Sequence, residues 1–298
     1  MAGQMQRCGF VAIVGRPNVG KSTLLNHILG MKLSITSRKP QTTRHQILGV
    51  KTVDNIQTIY VDTPGIHQRR GTAINIYMNR AATSVLNDVD VILFVVQANK
   101  WTEEDQAIIE RFKKVSCPII LVVNKIDTLK SKKELLPLID ELSARYDYAE
   151  ILPVSALNGI NVDMLEQKIA PLLPENEYIY PDDQVTDRSM RFLASEIIRE
   201  KLIRELGQEL PYTSTVSIDK YVDAPDIVHI HATIYVESEG QKAIIIGKKG
   251  SRLKSIGTKS REDISKMIGT KVYLNLWVKV REGWSNDERA LRGLGYGE

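Results

Sequence analysis

The sequence predicts an α/β fold: a doubly wound, mostly parallel sheet followed by a smaller α+β domain. Three observations carry this. Short apolar runs alternate with amphipathic stretches from about residue 6 to 173. A segment rich in Pro, Asp and Asn then interrupts the pattern. The remainder of the chain orders as helix, two strands, two helices and a strand. A chain of 298 residues has room for about two domains. The expected division is 1–173, a linker at 174–188, and 189–298.

The expected strands of the first domain are Phe10–Val14, Gln57–Asp62, Val91–Val96, Ile119–Asn124 and Ile151–Ser155. The last three are nearly continuous apolar runs, as parallel strands covered on both faces require. Between them the helical patterns are Ser22–Leu29, Asn75–Asn87, Glu103–Lys114, Lys132–Tyr146 and Val162–Leu173. In such sheets a ligand sits at the carboxyl ends of the strands. The linker reads PENEYIYPDDQVTD. Beyond it Ser189–Leu206 reads as a helix. Ser214–Val222 and Ile227–Val236 read as strands joined by a turn at DAPD. Two helical stretches flank the glycines of IIIGKKG, and Lys271–Val280 is the last strand.

Composition excludes several classes. Hydrophobic content of 43% and charged content of 26% are ordinary for a globular chain. Two cysteines, Cys8 and Cys117, make a disulfide framework unexpected and fit a reducing cytoplasm. The stretch MAGQMQRCGFVAIVG has no long apolar run before a cleavage site, so no signal peptide is expected. No run of about 20 apolar residues occurs, so no spanning helix is expected. Net charge is only +4, but residues 241–281 hold eleven Lys and Arg against Glu262 and Asp263. That excess of +9 in one segment points to a polyanionic partner.

The first apolar run leads into GRPNVGKS, residues Gly15, Arg16, Pro17, Asn18, Val19, Gly20, Lys21 and Ser22, with Thr23 after it. The spacing G-x-x-x-x-G-K-[ST] is a phosphate-binding loop. Its glycines let backbone N–H groups turn inward, Lys21 reaches the β- and γ-phosphates, and Ser22 offers a hydroxyl to Mg²⁺. A helix N-terminus adds its dipole. The second long strand ends in DTPG: Asp62, Thr63, Pro64, Gly65. Alone this reads as a β-turn. In a nucleotide site Asp62 holds Mg²⁺ through water and the Gly65 N–H meets the γ-phosphate. The expected metal set is Ser22, Asp62 and a threonine from the loop KLSITSRKPQTTRH. Thr42 and Thr43 both qualify there, with a slight preference for Thr43. Lys21, Thr43 and Gly65 are the expected catalytic positions.

NKID, residues 124–127, ends another strand. A carboxylate at Asp127 can accept from guanine N1–H and the 2-amino group, which adenine cannot supply. Lys125 can lay its stem over the base and Asn124 can tie this loop to the phosphate loop. Ser155 and Ala156 come at the end of the next strand, and a backbone N–H near Ala156 can meet guanine O6. Four motifs in order, each at a strand end, imply GTP and GDP with Mg²⁺ as ligands. Ile66 stands where many GTPases carry a water-orienting glutamine, and it cannot do that job. Slow intrinsic hydrolysis is therefore expected, with missing charge or positioning supplied from elsewhere. A K⁺ ion held partly by Asn18 is one candidate. Loss of the γ-phosphate would release the threonine loop and the loop after Gly65, an order–disorder switch.

In the second domain Gly247, Lys248, Lys249 and Gly250 place G-x-x-G at a helix–helix corner. A lone G-x-x-G is commonly a helix cap. Here it coincides with the +9 segment and the α-β-β-α-α-β order, which fits a KH module clamping single-stranded RNA by its backbone. Arg252 and Lys254 extend the expected RNA-binding set.

At these residues the chain resembles the Era family, bacterial GTPases of the Era/TrmE-type branch with an N-terminal G domain and a C-terminal type II KH domain. The likeness spans essentially the whole length. It rests on GRPNVGKS, QTTRH (41–45), DTPGI (62–66), NKID, VSA (154–156), GKKG and the tail GWSNDERALRGLGY (283–296). The resemblance implies binding near the 3′ end of 16S rRNA, a nucleotide-controlled role in maturation of the small (30S) ribosomal subunit, and a monomer. It also implies a cytoplasmic protein with peripheral association to the inner membrane. A passive RNA-binding assembly factor with negligible turnover is the alternative. A tRNA-modifying GTPase would be expected to carry a C-terminal cysteine motif, which is absent here.

Overall fold

A computed structural model of the chain describes residues 6–37, 39, 42–65, 72–206 and 213–296. Two compact units emerge. The first comprises Met1–Ser34, Thr43–Arg70 and Met78–Asp187, and the second Ile35–Thr42, Gly71–Tyr77 and Arg188–Glu298.

The first unit is built on six strands: β1 Arg7–Val14, β2 Ile47–Val53, β3 Ile56–Asp62, β4 Val91–Gln97, β5 Ile119–Asn124 and β6 Glu150–Val154. Their order is β2-β3-β1-β4-β5-β6, with only β2 antiparallel to its neighbour. Order reverses between β1 and β4, so loops leaving the carboxyl ends of the strands diverge there and leave a crevice. The helices are α1 Lys21–Leu29, α3 Glu103–Phe112, α4 Leu135–Ser143 and α5 Val162–Ile169, together with Met78–Ser84 of α2 Ala73–Ser84, whose first residues belong to the second unit. Val91–Val96 and Ile119–Val123 are almost wholly buried, because helices cover the sheet on both faces.

Differences from the sequence expectation have local causes. The long apolar periodicities around 87, 132 and 172 continue as 3₁₀ turns at Val85–Asn87, Lys132–Glu134 and Ala170–Leu172. Strand β2 is not among the expected strands. It pairs with β3 through a two-residue Asp54-Asn55 turn in which Asp54 has φ 52°. Residues 174–187, expected as a linker, lie along the edge of this unit. Val185 O accepts from Val50 N (2.7 Å), and Gln57 Oε1 accepts from the N–H groups of Ile179 and Tyr180. Tyr178 and Tyr180 cover Cys8, Val50 and Ile59.

The second unit contains α6 Met190–Glu205, a three-stranded sheet of β7 Thr215–Ala224, β8 Ile227–Val236 and β9 Lys271–Val280, and helices α7 Glu239–Ile246 and α8 Ser251–Ile268. A last helix, α9 Glu288–Gly293, goes beyond the expected elements and lies in the tail. The strand order is β7-β8-β9, with β8 and β9 parallel. Helices α6, α7 and α8 bury one face of the sheet, through Val228, Ile230, Ala232, Ile234 and Val236 of β8. Helix α6 is polar on its other side. There Glu196, Arg199 and Glu200 are buried, and Glu200 and Arg199 bond Thr36 and Thr42. Glu200 accepts from Thr36 N (3.2 Å), and an Arg199 Nη donates to Thr42 O (2.5 Å).

Candidate functional site: a nucleotide crevice and a basic groove

The phosphate loop needs backbone conformations that its residues supply. Asn18 sits at φ 64° and Gly20 at φ 105°. A Cβ on Gly20 would lie 2.2 Å from Asn124 Nδ2, so only glycine fits. That amide ties three loops together. Asn124 Nδ2 donates to Val19 O (2.8 Å), and its Oδ1 accepts from the N–H groups of Lys125 (2.8 Å) and Ala156 (2.9 Å). The Ala156 N–H, at the position expected near guanine O6, donates to this side chain here. Lys125, itself at φ 66°, reaches across to Asn18 O (2.6 Å). Asp127 Oδ1 accepts from Ser155 Oγ (2.5 Å), which aims the carboxylate.

Lys21 is buried and donates to Gly15 O (2.9 Å) and Arg16 O (3.1 Å). Burial draws its ammonium down to about 8, against the pull of Asp62. Asp62 Oδ2 accepts from Ser22 Oγ (2.8 Å) and Ser34 Oγ (2.7 Å). Ser22 Oγ is 2.8 Å from Thr43 Oγ1. Burial pushes the Asp62 carboxyl up, while Lys21 and the hydroxyl donors hold it back. Asp62 Oδ1 is buried with no protein partner. A carboxylate with one unpartnered oxygen, beside the Ser22 and Thr43 hydroxyls, fits a hard divalent cation that takes its remaining ligands from phosphate and water.

Thr43 is the threonine brought to Ser22, whereas Thr42 Oγ1 donates to Lys39 O (2.7 Å) in the second unit. Thr63 Oγ1 donates to Ile13 O (2.9 Å), a structural bond. Gly65 lies against Pro17, where a Cβ would come within 2.8 Å of the ring. The Arg16 side chain pairs with buried Asp105 (3.0 Å) and donates to Lys100 O, so only its backbone is left for phosphate. Ser34 is absent from the expected set. Asn26, which accepts from the N–H groups of Leu33 and Ser34, sets that loop. Ile66 and Gln41 lie outside the described residues.

The second candidate site lies where α7 meets α8. Gly247 has φ 70° and a Cβ there would crowd Arg252, while Gly250 has φ 76°. Lys248 and Lys249 between them are exposed. Helix α8 and strand β9 flank an open groove of about 510 Å³. Lys254, Gly257 and Arg261 line one wall, and Val272, Tyr273 and Leu274 the other. Arg252, expected as an RNA contact, donates to Ile244 O (2.5 Å) and caps the end of α7.

Comparisons with known proteins match two family models to the chain. Residues 10–125 fit the family model of the 50S ribosome-binding GTPases and residues 209–285 that of the KH domain. GTPase Era of Pseudomonas aeruginosa is 59% identical over 292 residues, covering 98% of this chain and 96% of that protein. GTPase Era of Ectopseudomonas mendocina is 60% identical with 98% of each covered. Among solved structures, an Aquifex aeolicus Era variant bound to GDP·AlF4⁻ superposes with a TM-score of 0.95 at 43% identity, over 98% of this chain and all of that one. Era in complex with MgGDPNP and nucleotides 1506–1542 of 16S ribosomal RNA matches with the same score, identity and coverage.

Proposed function

The chain belongs to the Era family of GTPases, and on that premise we propose a timer: GTP binding and hydrolysis set whether the KH groove holds the 3′ end of 16S rRNA during maturation of the 30S subunit. The observation that carries it is the convergence of Ser22, Thr43 and Asp62 within hydrogen-bond reach, at the strand ends that also present Lys21 and Asp127. In this reading residues 1–173 form the nucleotide domain and 189–298 the RNA domain.

Lys21 leaves the loop carbonyls for the β- and γ-phosphates. The amides from Gly15 to Ser22 surround the same oxygens. Ser22, Thr43 and Asp62 would hold Mg²⁺, which would supply positive charge against the phosphates, while water attacks the γ-phosphorus in line and GDP departs. The Gly65 N–H holds the γ-phosphate, so its loss frees both loops that report it. Asp127, aimed by Ser155, selects guanine. Asn18 is the candidate K⁺ contact, and faster turnover in K⁺ than in Na⁺ is the expected sign. The basic segment of the second domain can also touch anionic lipid, which would place the protein at the inner membrane part of the time.

The test is turnover and RNA affinity measured together. A single-stranded RNA from the 16S 3′ end should bind differently to the GTP-analogue and GDP forms and should alter GTP hydrolysis. Equal affinity in both states with unchanged turnover would leave a passive RNA binder. Lys248→Ala with Lys249→Ala should weaken RNA binding and leave GTP affinity as it was.

A further inference from the structure

The helices cover one face of the β7-β8-β9 sheet, and the other face carries an exposed strip of rings. Parallel pairing of β8 with β9 sets His229 opposite Tyr273, His231 opposite Asn275 and Thr233 opposite Trp277. His229 and Tyr273 lie 5.5 Å apart between ring centres, and Tyr273 and His231 6.3 Å. His231 stacks on Trp277 at 5.4 Å with 17° between planes. The result is four contiguous rings, with the two histidines partly buried and Tyr273 and Trp277 exposed. Tyr273 is 48% exposed and Trp277 41%. Large aromatics in a row at that exposure are uncommon on a surface that meets only water.

The surrounding charge favours one kind of partner. Lys271 and Lys279 alternate onto the same face of β9 as Tyr273 and Trp277, and both are exposed. Lys220 of β7 stands opposite His231 and is exposed too. The acid on this face, Asp219 at the β7 bulge, accepts from Thr233 Oγ1 (2.6 Å), while Asp223 alternates to the opposite side. The tail covers the far end of the face, where Tyr296 Oη meets Thr215 Oγ1 (2.9 Å), and leaves the rings open. Flat π faces bordered by cations suit unpaired nucleobases on a phosphate backbone.

We infer that the open sheet face is a second RNA contact, a stacking platform for about two unpaired bases of a strand leaving the α8–β9 groove. Tyr273 lines that groove and also belongs to the strip, so the two surfaces are continuous around the β9 edge. This rests on the groove itself holding RNA. Base stacking tolerates any sequence, so the platform adds affinity and length preference without choosing bases.

The experiment uses the full chain and two unstructured RNAs, one of about six nucleotides and one extended to about twelve, followed by fluorescence anisotropy. Wild type should bind the longer RNA more tightly. Trp277→Ala should lose about tenfold on the longer RNA and nothing on the shorter. Trp277→Phe, which keeps a π face, should restore most of the loss. The platform is overturned if wild type binds both lengths alike, or if Trp277→Ala leaves the longer RNA unaffected. It is equally overturned if that variant changes only the sedimenting mass, the result expected for a face that takes a second copy or another protein. Lys248→Ala with Lys249→Ala reports on the groove separately. Unchanged binding of the shorter RNA there would count against the groove and not against the strip.

Discussion

Lys21 is a cation that the fold makes ready to lose its proton. Its native value of about 8 lies below the ordinary 10.5. Between those values the unfolded chain holds more protons than the native one, so this group makes stability rise with pH in that window. Nucleotide affinity moves the other way, because phosphate needs the ammonium. GTP affinity should therefore fall as pH rises from about 7 to about 9, and Lys21→Arg should show a shallower fall. Titration of guanine itself affects both proteins alike, so parallel profiles would refute the assignment. At Asp127 the expected outcome is a change of base. Asp127→Asn should lower GTP affinity by about a hundredfold and raise that for xanthosine triphosphate, read by displacement of a fluorescent nucleotide. The Arg16–Asp105 pair is buried on both sides. Arg16→Ala leaves a desolvated carboxylate and should cost about 3–5 kcal/mol in urea unfolding.

At the scale of elements, backbone geometry separates glycines that look alike in the sequence. Gly20 and Gly30 bracket α1 with positive φ. A Cβ on Gly30 would meet nothing within 4 Å, whereas on Gly20 it would collide with Asn124. Gly30→Ala should cost about 1–2 kcal/mol of conformational strain and retain nucleotide. Gly20→Ala should also lose nucleotide binding, since it breaks the Asn124 tie. In the second unit, α6 holds Thr36 and Thr42 through Glu200 and Arg199. Glu200→Ala leaves Arg204 and Lys201 without their shared carboxylate. It should cost about 3 kcal/mol and quicken proteolytic cleavage between residues 35 and 42. A urea midpoint like that of wild type would show that this helix face is dispensable. Strand β2 is hard to see in the sequence because its turn, Asp54-Asn55, lacks the glycine that marks the commonest two-residue hairpins. Helix α9 is hard to see because six residues carry little periodicity, although Asp287 caps it (2.9 Å to Arg289 N).

Across the whole molecule, charge is concentrated where RNA is expected, so salt should report on it. Lys248→Ala with Lys249→Ala should reduce the slope of log affinity against log salt by about two, while Trp277→Ala should leave the slope nearly intact. By itself the sequence determined the order of most strands and helices and the chemistry at the strand ends. Phosphate-loop spacing, a terminal carboxylate and a G-x-x-G corner are short-range patterns that restrict their own backbone. Tertiary structure decided which side chains meet. It chose Thr43 over Thr42, brought Ser34 to Asp62, drew Arg16 to Asp105 and the Ala156 N–H to Asn124, and assembled four rings from two strands. Such pairings join residues far apart in the chain, as Asn124 and Val19 do across 105 positions. Their register depends on loop path and strand pairing, which local spacing leaves open and burial of the two cores settles.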